Sequence, residues 1–118
     1  MSELFIDGPF ASMSIFFGII LILIGILFKV KPPESINSIY GFRTPSSMKD
    51  QAHWDYAHQY SAKLSIYLGL ACMAASSLGR FLQLSEITET FVGVGWLILI
   101  SIILIYRTEK ALKKRFDP

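Results

Sequence analysis

The stretch "INSIYGFRTPSSMKDQAHWDYAHQYSAKL", Ile36 to Leu64, concentrates the chemistry of this chain. It holds an arginine beside an aromatic and a glycine, and both histidines of the chain flank a tryptophan. Arg43 carries a planar fork of donors that suits a phosphate, a carboxylate or a lipid head group. His53 and His58 lie five apart, not the three or four that puts two metal ligands on one helix face. With one cysteine, Cys72, placed in an apolar run, the sequence offers no thiolate zinc site and no intramolecular disulfide. Neither a metal nor a cofactor is expected. Asp55 and His58 are three apart and could act as orienter and base. Ser46, Ser47 and Ser61 are the nearby hydroxyls, and nothing in the spacing positions one of them as a nucleophile. The residues therefore read as a binding site more readily than as a catalytic one.

The elements that hold these residues follow from hydropathy. Of the 118 residues, 53% are hydrophobic and 17% charged. A soluble domain usually carries about 25% charged residues. Gly8 to Phe28 is free of charge and long enough to span a bilayer core, which needs about 20 helical residues. Glu3 and Asp7 precede this span and "FKVKPP" follows it, which suits a retained helix better than a cleaved leader. Leu64 to Gly79 is uncharged and rich in Gly, Ala and Ser. Lys63 and Arg80 can snorkel at its ends, and "FLQL" extends it. Thr90 to Tyr106 is the third uncharged run, with Trp96 inside it either to face another helix or to lie partway into the leaflet, and Tyr106 at its end as an interfacial anchor. Cys72 reads as a small buried hydrophobe.

The expected architecture is all-α and forms a single membrane domain over 1–118. Its three transmembrane helices cover approximately 9–29, 62–82 and 90–107, and a polar connection covers 30–63. Lys29, Lys31, Arg43, Lys49 and Lys63 lie between the first and second uncharged runs, and Arg107, Lys110, Lys113, Lys114 and Arg115 follow the third. Only Arg80 lies between helices two and three. The positive-inside rule then places the connection and the C-terminus in the cytoplasm and the N-terminus outside. Pro32 and Pro33 end the first helix. Gly41 supplies a tight or close-packed turn. Ser47 with Asp50 suggests a cap, after which nothing breaks a helix from Met48 to Gly79. On that helix Trp54, His58 and Ser61 share one stripe, and His53, Tyr56, Tyr60 and Tyr67 fall near another. An interfacial aromatic belt is the plain structural reading of Trp54, Tyr56 and Tyr60. The three uncharged runs contain no charged residue to mark a transport path. The tail "KALKKRF" suits anionic lipid, and no nucleic-acid motif is present.

These residues carry a resemblance. The polar stretch resembles the signature of the SdpI-type immunity proteins, bacterial membrane proteins named for immunity to a sporulation-delaying toxin. The matching positions are Asn37, Tyr40, Gly41, Arg43, Thr44, Ser47, Met48, Lys49, Trp54, Ala57 and Lys63. Phe42 stands where Tyr is common, His58 where Asn is common, and Ala62 where Gly is common. The resemblance implies a multi-pass protein of the bacterial cell membrane that protects against a secreted antimicrobial peptide. The ligand-binding set would be Asn37, Tyr40, Gly41, Arg43, Thr44, Ser47, Met48, Lys49, Trp54, His58 and Lys63, lining a polar site on the cytoplasmic side. Membrane lipids and a peptide toxin are the partners implied, and small-residue faces would serve a homo-oligomer. Two other functions stay open: a small enzyme or transporter acting on a lipid or amphiphile, and a subunit of a larger membrane complex.

Overall fold

The computed structural model describes residues 8–81 and 84–117, with the side chain of Arg80 left aside. Met1–Asp7, Leu82–Gln83 and Pro118 lie outside the described residues. The positions of Glu3, Asp7 and the "LQ" of the second span's extension therefore fall outside the description. Among the described residues the chain is helical throughout its regular structure: α1 Gly8–Val30, α2 Gln51–Leu78 and α3 Glu86–Phe116, with a 3-10 turn at Gly79–Phe81 between α2 and α3. All three helices are long and apolar enough to cross a membrane. Helices are the solution lipid enforces, because their backbone donors and acceptors are satisfied within the segment.

α1 packs mainly on α2, and α3 lies against both. The α1–α2 contact is close because its facing positions are small. A Cβ on Gly69 would come within 2.6 Å of the Gly18 carbonyl oxygen, and one on Gly18 within 2.7 Å of that of Gly69. Hydroxyls tie the same surfaces. Ser65 Oγ donates to the Leu21 carbonyl at 2.7 Å. The Trp96 indole N–H donates to Ser14 Oγ at 3.0 Å, and Ser14 Oγ donates to the Cys72 carbonyl at 2.7 Å. That relay joins all three helices beside a core of Leu21, Cys72 and Ile100. Interhelical bonds of this kind contribute about 0.6 kcal/mol each in lipid. Of the two readings of Trp96, the one that turns it toward another helix holds, and Cys72 is buried, as the sequence suggested.

The helix limits differ from the uncharged runs in three places. α3 begins at Glu86, earlier than the expected position 90, with Ser85 as its N-cap. Glu86 and Glu89 sit in its first turn, where the helix dipole favours carboxylates. Glu89 is buried, and the Phe10 N–H at the start of α1 points at its Oε1. α3 also runs past Tyr106 to Phe116, with Lys113, Lys114 and Arg115 in its last turn, where cations complement the dipole. α2 starts at Gln51 with Asp50, not Ser47, as its cap: Asp50 Oδ1 accepts the His53 backbone N–H at 2.8 Å. At 28 residues α2 is about 42 Å long, well beyond a bilayer core of about 30 Å. Its first turns therefore project from the hydrocarbon together with the last turns of α3. The α1–α2 connection and the end of α3 meet at one end of the molecule, so the two basic zones of the sequence share that end.

Candidate functional site

The connection 31–50 folds into a headpiece on the projecting turns of α2 and α3. Asn37 starts it. Its Oδ1 accepts the N–H groups of Ile39 (2.9 Å) and Tyr40 (2.7 Å), and its amide donates to the Ser35 carbonyl. This local turn reverses the chain and sends Tyr40 back over α1. There the Tyr40 hydroxyl donates to the Lys31 carbonyl at 3.1 Å, satisfying an acceptor just past the end of α1. Trp54, fully buried, donates its indole N–H to the Pro33 carbonyl at 2.8 Å and so anchors the proline pair to α2.

His58 is the centre of this arrangement. Its Nδ1 lies 2.7 Å from the Trp54 carbonyl oxygen, and its Nε2 accepts the Phe42 backbone N–H at 2.8 Å. A carbonyl can only accept and a backbone N–H can only donate. The ring is therefore neutral, with its proton on Nδ1. It packs edge-on to Phe28 of α1, with centroids 4.8 Å apart, and against Trp54 at 4.4 Å. Phe28 also meets Tyr40 edge-on.

Gly41 makes the closeness feasible. Its φ is +123°, a conformation side chains rarely adopt. A Cβ there would lie 2.6 Å from His58 Nε2, 3.0 Å from Pro33 Cγ and 3.1 Å from Trp54 Cη2. The expected close-packed turn at Gly41 is what the structure holds.

The second half of the headpiece is a reciprocal turn. Ser47 Oγ accepts the Thr44 N–H (2.9 Å) and donates to the Phe42 carbonyl (2.8 Å), while Thr44 Oγ1 accepts the Ser47 N–H (3.1 Å). The Ser47 hydroxyl is thereby occupied, which is why Asp50 caps α2 in its place. Met48 continues the turn with its N–H on the Thr44 carbonyl. The Thr44 hydroxyl donates to Glu109 on α3, tying the loop to the third helix. A second tie stacks His53 on Phe116 at 4.0 Å, with Tyr56 edge-on to the same ring. His53 Nδ1 is also 2.7 Å from Asp50 Oδ1. The His53 backbone N–H first, and its ring second, hold the Asp50 carboxyl below the usual carboxylate range.

The polar, aromatic and glycine positions of the signature stretch, with His58 among them, divide into two groups. Asn37, Tyr40, Gly41, Thr44, Ser47, Trp54 and His58 are committed to one another or to the helices. Arg43, Lys49 and Lys63 are exposed, and among the described residues the Arg43 guanidinium takes part in no hydrogen bond or ion pair. Lys49 lines a groove between the headpiece and α3 with His53 and Glu109. Lys63 lines another with Lys29, Asp55 and His58. Asp55 does not orient His58: its Oδ1 accepts the Gln51 amide, and His58 Nδ1 points at Trp54. Trp54 is a core residue of the headpiece and no part of an interfacial belt. The partners that sequence reasoning missed are Phe28, Glu109 and Phe116. Glu109 had a signal, as the single carboxylate within "RTEKALKKR".

A bundle of three spanning helices with a hydrogen-bonded polar cap at one end defines a small multi-pass membrane protein. The particular family follows from comparison. The model of the SdpI/YfhL protein family matches residues 34–108, which takes in most of the headpiece, α2 and most of α3. The chain belongs to that family. It is also similar to the uncharacterised protein YfhL of Bacillus subtilis (strain 168), with 55% identity over 53 residues. The aligned stretch is 45% of this chain and 48% of the relative, so it spans about half of that protein's length. No solved structure matches.

Proposed function

We propose that this chain is a protective protein of the immunity type in the bacterial cell membrane, acting by binding and not by catalysis. The N-terminus faces out, and the headpiece with the C-terminus faces the cytoplasm. The orientation rests on the distribution of basic residues. The observation that carries the reading is the division of the signature. Asn37, Tyr40, Thr44, Ser47, Trp54 and His58 are engaged in hydrogen bonds that build the headpiece, and Arg43, Lys49 and Lys63 are left on the surface as cations. A fixed scaffold presenting donors is what recognition of a carboxylate or phosphate needs, because little ordering entropy is spent on contact. His58 has both ring nitrogens engaged, which argues against a proton-transfer role. The rim would contact a membrane-active peptide that has inserted far enough to reach the inner leaflet, or the membrane component such a peptide attacks.

The test is survival. A Gram-positive strain lacking its own immunity gene is transformed with the chain and titrated with a sporulation-delaying-type toxin. Wild type should protect, and Arg43→Ala at equal membrane abundance should not. Absence of protection by well-expressed wild type would defeat the immunity reading and leave the family fold intact.

A further inference from the structure

The groove between α2 and the end of α3 on the far side from His58 belongs to no part of this reading. Its volume is about 710 Å³, within the range of small-ligand clefts. α3 supplies Arg107, Lys110 and Lys114 to its wall, with Ala111 between them leaving room. α2 supplies Tyr56 and Tyr60, one helical turn apart. The guanidinium of Arg115 is held over the Tyr56 ring, 4.9 Å from its centroid, which fixes a further cation at the edge. No carboxylate lines this groove, whereas Glu109 and Asp117 line the first neighbouring groove and Asp55 the second. Among the described residues Arg107, Lys110 and Lys114 form no ion pair.

The order of side chains along α3 bears on the occupant of the groove. Tyr106 closes the uncharged run of α3 and stands at the groove mouth. On the same stripe of the helix, Leu99 and Ile102 are exposed toward the bilayer centre. Apolar surface below, phenols at the boundary and cations above reproduce the profile of a phospholipid from acyl chain to phosphate. We propose that this groove binds the head group of an anionic phospholipid. The phosphate is held by Arg107, Lys110 and Lys114, with Tyr60 and Tyr106 donating from below, and the acyl chains lie along Leu99 and Ile102.

The full-length protein is reconstituted in phosphatidylcholine nanodiscs with and without phosphatidylglycerol. Lipid retained after transfer to detergent is measured by native mass spectrometry. Wild type should retain phosphatidylglycerol over phosphatidylcholine. Arg107→Ala/Lys114→Ala should weaken retention about fivefold for each cation removed, hence about twenty-fivefold together. The charge-matched control Lys29→Ala/Lys31→Ala, whose side chains are exposed elsewhere at this end, should change it less than about threefold, being only diffuse surface charge. Arg107→Lys/Lys114→Arg should bind nearly as wild type. Equal losses in both alanine pairs, or no preference by wild type, would overturn the proposal. Release of the lipid by inorganic phosphate at comparable concentration would also overturn it, by assigning the groove to a free anion. None of these outcomes depends on toxin protection.

Discussion

Replacing His58 with leucine isolates the centre of the headpiece. Leucine has similar bulk and fills the space between Phe28 and Trp54, so the cost comes from the lost bond and not from a cavity. The Phe42 N–H, now 2.8 Å from Nε2, would face a methyl group. A buried donor left unsatisfied costs about 1–3 kcal/mol. The edge-on contact with Phe28 and the contact with Trp54 add about 0.5–1.5 kcal/mol together beyond area burial. The expected loss is about 2–4 kcal/mol, large for a fold of ordinary marginal stability. Glutamine places an oxygen near the position of Nε2, and His58→Gln should recover about half of the loss or more. Equilibrium unfolding in mixed micelles measures both variants. Nitrogen NMR of the histidine ring provides an independent check, since the geometry demands a neutral ring protonated at Nδ1. A loss below about 0.5 kcal/mol in His58→Leu, or a ring protonated at Nε2, would refute the role assigned to this residue.

Four further outcomes are expected. Gly41→Ala should destabilise by about 2–5 kcal/mol, combining an unfavourable φ with a Cβ pressed against His58 and Trp54, and thermal unfolding in detergent would register it. Gly69→Leu should force α1 and α2 apart at the Gly18 contact, which a disulfide-free cross-linking distance or reduced folded yield would show. Asp50 has its carboxyl lowered in the fold, so its contribution is present above the unfolded value of about 3.9 and is lost as pH falls through the lower folded value; amide exchange at residues 51–54 should quicken only in that acidic window. Arg43→Ala should leave stability within about 0.5 kcal/mol of wild type while abolishing protection, which separates a contact residue from a scaffold residue.

The spans were legible because lipid imposes a simple rule: a long run without charge is a helix. The ends were less so, because a charge at a helix terminus looks like an interruption in sequence and is a favourable first or last turn in structure. Glu86, Glu89 and the Lys113–Arg115 cluster all lie inside α3 for that reason. The stripe Trp54–His58–Ser61 was readable from spacing, and all three are buried. That His58 would meet Phe42 was not readable, since the contact depends on a loop reversal set by Asn37 and a backbone angle open to Gly41. Ser47 and Asp50 are both good caps by type. What decided between them was that the Phe42 carbonyl and the Thr44 N–H had already claimed the serine.

The position of Thr44 and Glu109 bears on how the headpiece could respond to a ligand. The loop is tied to α1–α2 by His58, Trp54 and Tyr40, and to α3 by the Thr44–Glu109 bond and the His53–Phe116 stack. Arg43 stands between these two sets of ties, flanked in sequence by Phe42 and Thr44. A ligand pulling on Arg43 therefore loads the bond to His58 on one side and the bond to Glu109 on the other. The two differ in strength. The Glu109 bond joins a hydroxyl to a carboxylate in a half-buried setting, and water can replace it. The His58 bond ends on a buried ring packed between Phe28 and Trp54. Movement of the loop should then begin at α3, with the α1–α2 side acting as the fixed base. Thr44→Val ought to raise amide exchange across residues 44–49 about tenfold, the equivalent of about 1.4 kcal/mol, while leaving residues 39–42 unchanged. Equal acceleration of both segments would mean that the headpiece opens as one piece and has no such preferred hinge.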